Sequence, residues 1–183
     1  HNCLVGSEMC IRDRYNMITH LDIKKIYDWA KETEFPLKKV PTAGEYSNKD
    51  IHLCWLKGAG KKVLIRKKLM SDDIFEIFSK SEIIYASYSI FDGGTILNPH
   101  RDPDVYPKKY KRIQVPLEIP HSFHCFMIWK DKKIMWEEGK HKTFPVMDVT
   151  HEGYNLSTKP MKFVMIDVES VSYTHLRAHE TVV

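Results

Sequence analysis

His100 and Asp102 stand two residues apart in Asn98-Pro99-His100-Arg101-Asp102-Pro103-Asp104, and His151 follows in Thr150-His151-Glu152-Gly153. Two histidines and one carboxylate are the smallest set that holds Fe(II) on one octahedral face and leaves the opposite face open for oxygen chemistry. On an extended chain, residues i and i+2 point to the same side. Pro99 and Pro103 bias Asn98 and Asp102 toward extended geometry, so His100 and Asp102 would face one cavity. His151 would have to arrive from a distant strand. A His-x-Asp pair alone is more often a surface hydrogen bond than a ligand pair. The trio therefore gains weight only from the elements that position it.

Leu21, Ile23, Ile26, Tyr27 and Ala30 fall on roughly one face, which predicts a first helix ended by Pro36 and Pro41. Thr42 to Asp50 reads as a polar loop and Val63-Leu64-Ile65 as a short strand. Ser71 is placed to cap a helix over Asp72 to Ser79, whose first turn carries two acids. From Ile83 onward the pattern changes to strands: Ile84 to Phe91, Arg112 to Ile119, His124 to Trp129, Lys133 to Trp136 and Phe163 to Val168. Asp92-Gly93-Gly94 and Asp131-Lys132 read as turns. Helices followed by many short strands predict a mainly β fold with flanking helices, a sandwich or jelly-roll barrel. A Gly-rich phosphate loop and βαβ alternation are both absent, which argues against nucleotide-binding α/β classes.

The two ends carry a different signal. Leu4 to Asp13 reads LVGSEMCIRD and Val171 to Glu180 reads VSYTHLRAHE. One choice of codons for the second stretch, reverse-complemented, encodes the first. Residues 1–14 and 171–183 are therefore expected to be translated sequencing adapter, and 15–170 a single domain with its motif-bearing core at 83–168. Removing the ends leaves only Cys54 and Cys125, with no CxxC spacing for a zinc site or disulfide framework. The net charge of +4 is too small to imply nucleic acid, and no apolar run approaches the ~20 residues that span a bilayer. A cytoplasmic protein acting on a small-molecule or peptide substrate, with neither nucleic acid nor membrane as partner, is the expectation.

A longer pattern surrounds the trio. Ser89-Ile90-Phe91-Asp92-Gly93-Gly94-Thr95 leads to Pro99-His100. Then come Arg112-Ile113-Gln114-Val115-Pro116-Leu117-Glu118-Ile119-Pro120, Trp136-Glu137-Glu138-Gly139-Lys140, His151-Glu152 and Phe163 to Asp167. In order, spacing and residue type this resembles the aspartyl/asparaginyl β-hydroxylase family, Fe(II)- and 2-oxoglutarate-dependent oxygenases on a double-stranded β-helix of the jelly-roll, cupin-like kind. The resemblance implies a hydroxylase of an amino acid, a peptide or protein side chain, or a related small molecule, using Fe(II), 2-oxoglutarate and O2. It implies His100, Asp102 and His151 as catalytic metal ligands, in the branch with a full triad shared by proline and lipid A hydroxylases. It further implies Ser89 and Arg112 as cosubstrate contacts. Gln114 stands where the family has a histidine. Lys162 stands where it has a second cosubstrate arginine, if one residue is inserted after His151. A lysine keeps the charge but loses the bidentate fork, so the sequence leaves open whether Arg112 or Lys162 anchors the distal carboxylate. Glu152 is expected to stabilise its loop or support the metal site. Trp129 and Trp136 read as core, and His121, His124 and His141 as surface or loop. The alternative from another class is a non-catalytic jelly-roll binding module, which the substitutions at Gln114 and Lys162 would suit.

Overall fold

A computed structural model describes residues 18–58, 64–102 and 109–170. The terminal stretches 1–14 and 171–183 lie outside the described residues, as do Val63 and Pro103. Two helices precede most of the strands: α1 (His20–Glu32) and α2 (Asp72–Ser79). Thr19 starts α1 with a reciprocal capping box, its Oγ1 accepting from Asp22 N at 3.1 Å while its own N–H donates to Asp22 Oδ2 at 2.8 Å. Ser71 precedes α2 as expected, but its hydroxyl donates to the Asp73 carboxylate at 2.5 Å instead of accepting from the helix backbone.

The strands are β1 (Lys38–Val40), β2 (Ile51–Gly58), β3 (Leu64–Ile65), β4 (Ile83–Phe91), β5 (Thr95–His100), β6 (Tyr110–Glu118), β7 (Cys125–Trp129), β8 (Lys132–Met135), β9 (Lys142–Phe144), β10 (His151–Asn155) and β11 (Met161–Glu169). They form two antiparallel sheets. The larger runs β1-β2-β4-β11-β6-β9, with β3 added to β2, and the smaller runs β5-β10-β7-β8. This is a jelly-roll, double-stranded β-helix. Period-two alternation gives the large sheet two different faces. Its outer face, with Ile83, Ala86, Ile113, Val115, Val164 and Ile166, packs against Ile23, Ile26, Ile74, Ile77 and Phe78 of the helices. Its inner face, with Phe91, Met161, Phe163 and Met165, packs toward Cys125, Met127 and Trp136.

Two local readings shift. The β7–β8 hairpin turns at Lys130 and Asp131, both with positive φ (49° and 62°), one residue earlier than Asp131-Lys132. β2, an eight-residue strand next to the β1 edge of the large sheet, was not expected from the sequence. A bulge between Trp55 and Lys57 breaks its alternation, so Leu53, Cys54, Leu56 and Lys57 are all buried.

Asn155 joins the two sheets at the end of the barrel away from His100. Its amide nitrogen reaches the carbonyls of Phe91, Asp92 and Lys159 at 2.9–3.1 Å, and its Oδ1 accepts from the Ser157 hydroxyl at 2.7 Å. Fully buried, it holds the β4–β5 turn against the β10–β11 turn. Asn155→Ala would strand several of these groups, at about 2–4 kcal/mol of stability. A urea titration should show that loss; an unchanged midpoint would mean the clamp is dispensable.

Candidate metal centre

β5 and β10 are antiparallel neighbours, and their register sets His100 opposite His151. The imidazole centroids are 4.5 Å apart. Asp102 follows β5 by two residues, and its Oδ1 lies 3.4 Å from Nε2 of each histidine. The three candidate ligand atoms all lie within 4.8 Å of one another. Both rings are oriented the same way from behind. His100 Nδ1 is 2.6 Å from the Asn98 carbonyl, and His151 Nδ1 is 3.1 Å from the Val149 carbonyl. With Nδ1 as the donor in each, each Nε2 faces the shared space, where it can give its proton to Asp102 without a metal and its lone pair to a metal once that proton leaves. The donor set, two imidazoles and a carboxylate on one side of a cavity, suits Fe(II).

The second oxygen of Asp102 accepts from Arg112 Nη1 at 2.5 Å. Arg112 also forms a two-pronged bond with Asp167, Nε to Oδ1 at 2.8 Å and Nη2 to Oδ2 at 2.9 Å. Arg112 and Asp167 are register partners on β6 and β11, both facing the barrel interior. Asp167 is completely buried. Burial raises the Asp167 carboxyl above its ordinary range, against the opposing pull of Arg112. Burial also acts against the Arg112 charge, but Asp167 and then Asp102 hold it firmly protonated. For Asp102, burial works toward the neutral form. The hydrogen bonds from His100 and His151, with the Arg112 charge, overcome it and keep the carboxyl far below its usual value.

The trio opens onto a cavity of about 220 Å³ between the sheets. Of the residues expected at the site, Ser89, His100, Arg112, Gln114 and His151 line this cavity. Ser89 is buried and shares a hydrogen bond with Ser87 at 3.1 Å. The Gln114 side-chain oxygen is buried without a partner, as expected of a group left for a ligand. Glu152 also borders the cavity and accepts from the Tyr154 hydroxyl at 2.5 Å. Trp136 is core and cavity wall at once, and His121 and His124 stack on each other away from the cavity.

Lys162 is not among the residues brought together. It sits on the outer face of β11, between Met161 and Phe163, which face the cavity, and its Nζ pairs with Glu118 at 2.6 Å. Without the inserted residue assumed in matching the family arginine, that position falls on Met161. Sequence reasoning missed Asp167, although an acid inside the apolar run Phe163 to Val168 signals a buried charge needing a cation. It also missed Thr42 and Tyr46, which reach the cavity mouth because their loop pairs with the edge of β5. The Tyr46 ring lies 6.0 Å from that of His100.

A family model described as aspartyl/asparaginyl beta-hydroxylase matches residues 56–170, more than half of the chain. The chain belongs to the aspartyl/asparaginyl β-hydroxylase family. Among solved structures, a 2OG-Fe(II) oxygenase family oxidoreductase from Burkholderia pseudomallei aligns at a TM-score of 0.56 with 12% identity, covering 76% of each chain. That likeness shows the fold, a jelly-roll barrel. A predicted oxalate decarboxylase from Thermotoga maritima aligns at 0.47, with 8% identity over 75% of this chain and 95% of its own. A cupin 2 conserved barrel domain protein from Rhodopseudomonas palustris aligns at 0.46, with 10% identity over 76% and 73%. No curated protein matches the chain. No described helix of this hydroxylase-family chain is long and apolar enough to cross a membrane.

The charge arrangement predicts two behaviours. Removing Arg112 leaves Asp167 buried and unpaired, so Arg112→Leu should cost about 3–5 kcal/mol in chemical denaturation. Lys162→Leu, breaking a half-exposed pair, should cost no more than about 1 kcal/mol. Equal losses would contradict the two placements. The second behaviour concerns pH. Burial pulls the His100 imidazole down, but hydrogen bonds to Asp102 and to the Asn98 carbonyl leave it above its ordinary value. A raised histidine stabilises the fold fully below its unfolded value of about 6.5, and that contribution is lost as pH rises through the folded value. Metal-free protein should therefore lose stability as pH rises above about 6.5, less so in Asp102→Asn. Divalent-metal affinity should rise over the same window, because binding must displace that proton.

Proposed function

We propose that the chain is a hydroxylase that couples oxidation of an unactivated C–H bond to oxidative decarboxylation of a 2-oxo acid, 2-oxoglutarate in the family, using Fe(II) and O2. The convergence of His100 Nε2, His151 Nε2 and Asp102 Oδ1 at the mouth of a largely apolar cavity carries this reading. The substrate is an amino acid, a peptide or protein side chain, or a related small molecule.

Bound Fe(II) would supply the oxygen chemistry. In the overall balance, one oxygen atom of O2 goes to the substrate carbon. The other goes to the acid formed as the 2-oxo acid loses CO2, with one electron pair drawn from the C–H bond and one from the broken C–C bond. The chain's own residues do the positioning. The Asn98 and Val149 carbonyls fix the ring orientation of the two histidines. Arg112 holds one Asp102 oxygen so that the other faces the imidazoles. Its guanidinium also borders the cavity, where it can meet the carboxylate beside the keto group. Met127, Phe163 and Met165 exclude water below. Thr42 and Tyr46 stand at the mouth, where a substrate too large for the cavity would approach.

Purified protein given Fe(II) without oxygen should bind one equivalent. On admission of O2 it should convert a 2-oxo acid to the acid one carbon shorter. His100→Ala should abolish both while keeping the wild-type circular dichroism spectrum. A wild-type chain that binds no Fe(II), or a variant that binds it equally well, would sink the proposal.

A further inference from the structure

The far end of the cavity poses a chemical question that its near end does not. The inner faces of β4, β11 and β6 form successive register rows going away from the trio. Tyr85, Asp167 and Arg112 form the first, Ser87, Met165 and Gln114 the second, and Ser89, Phe163 and Pro116 the third. Successive rows are about 7 Å apart. A 2-oxo acid held at the trio by its keto and carboxylate oxygens places its tail at the second and third rows. If the tail ends in a carboxylate, as in 2-oxoglutarate, a cation is needed there, because an unpaired buried carboxylate is far costlier than a neutral group.

No such cation is present among the described residues. Arg112 is the one lysine or arginine lining the cavity, it stands in the first row, and three of its N–H groups are committed to Asp102 and Asp167. Lys162 faces the helices and pairs with Glu118. At the inward positions of β11 stand Met161, Phe163 and Met165, and opposite them Leu97 and Met127. Ser87, Ser89 and Gln114 offer neutral hydrogen bonds only, and the two serines bond each other. A surface rich in methionine adapts to a thioether or branched alkyl group.

We propose that this site takes a 2-oxo acid with an uncharged side chain, thioether or branched alkyl, in preference to 2-oxoglutarate. The inference rests on the oxygenase reading above. The reaction balances as before: the C1–C2 bond breaks, C1 leaves as CO2, one oxygen of O2 joins C2 to make the shorter acid, and the other enters the substrate C–H bond. Only the tail differs.

Anaerobic calorimetry on the Fe(II)-loaded chain tests it directly, with 2-oxo-4-methylthiobutanoate, 2-oxo-4-methylpentanoate and 2-oxoglutarate as ligands. At least one uncharged acid should bind at least tenfold tighter than 2-oxoglutarate. Met161→Arg, which places a cation on the inner face, should reverse the order by tenfold or more. Lys162→Leu covers the case in which the arginine variant fails to fold, and it should leave both affinities within twofold. Equal or tighter binding of 2-oxoglutarate by the wild type overturns the inference and leaves the oxygenase reading intact. So does a tenfold loss of 2-oxoglutarate affinity in Lys162→Leu. Failure of every 2-oxo acid to bind the Fe(II)-loaded chain overturns both.

Discussion

Arg112 is shared between two carboxylates that could not otherwise be buried together. Asp167 lies fully inside the barrel, and Asp102 nearly so. The guanidinium grips Asp167 with two prongs and holds Asp102 with a third N–H, tying the segment after β5 to the middle of the large sheet. Two negative carboxylates against one positive guanidinium leave those three groups at −1, with the Nε2 atoms of two imidazoles facing them. A divalent cation is what completes that arrangement electrostatically. The pairing is therefore both the support of the fold at the cavity's open end and the reason Asp102, one of the candidate metal ligands, points where it does.

The same strand alternation that builds the site also limits it. Residues of β4, β6 and β11 go alternately to the cavity and to the helix layer. Ser87, Ser89, Arg112, Gln114 and Asp167 fall on one side; Tyr88, Ile113, Val164, Ile166 and Lys162 fall on the other. A one-residue change of register exchanges the two sets completely. That is why matching a family arginine to Lys162 through one inserted residue, which is harmless in a loop, has a large physical consequence in a strand. It exchanges a cavity wall for a surface ion pair, and with it the chemistry of the tail that the cavity accepts.

Much of this was legible in the sequence. The i, i+2 spacing of His100 and Asp102 between prolines, the β-branched and aromatic strands after Ile83 and the two amphipathic helices all signalled the barrel and its mouth. What was hidden depended on partners far along the chain. β2 lost its alternation to a bulge whose cause lies in pairing with β4. The turn at Lys130 and Asp131 needs positive φ at residues that do not advertise it. Asp167 reads as part of an apolar run until Arg112 is seen beside it, and Asn155 as an ordinary polar residue until its backbone partners are in place. Tyr46 belongs to a loop whose position is fixed by hydrogen bonds to the edge of β5.

The central claim is that His100, Asp102 and His151 together hold one metal ion while Arg112 keeps the other oxygen of Asp102. Anomalous diffraction at the iron edge, from crystals grown anaerobically with Fe(II), addresses it most directly. The account predicts one strong peak within bonding distance of both Nε2 atoms and Asp102 Oδ1, with Arg112 still bridging Asp102 and Asp167. A peak elsewhere, at the stacked His121 and His124 for example, or no peak between the three side chains, would contradict it.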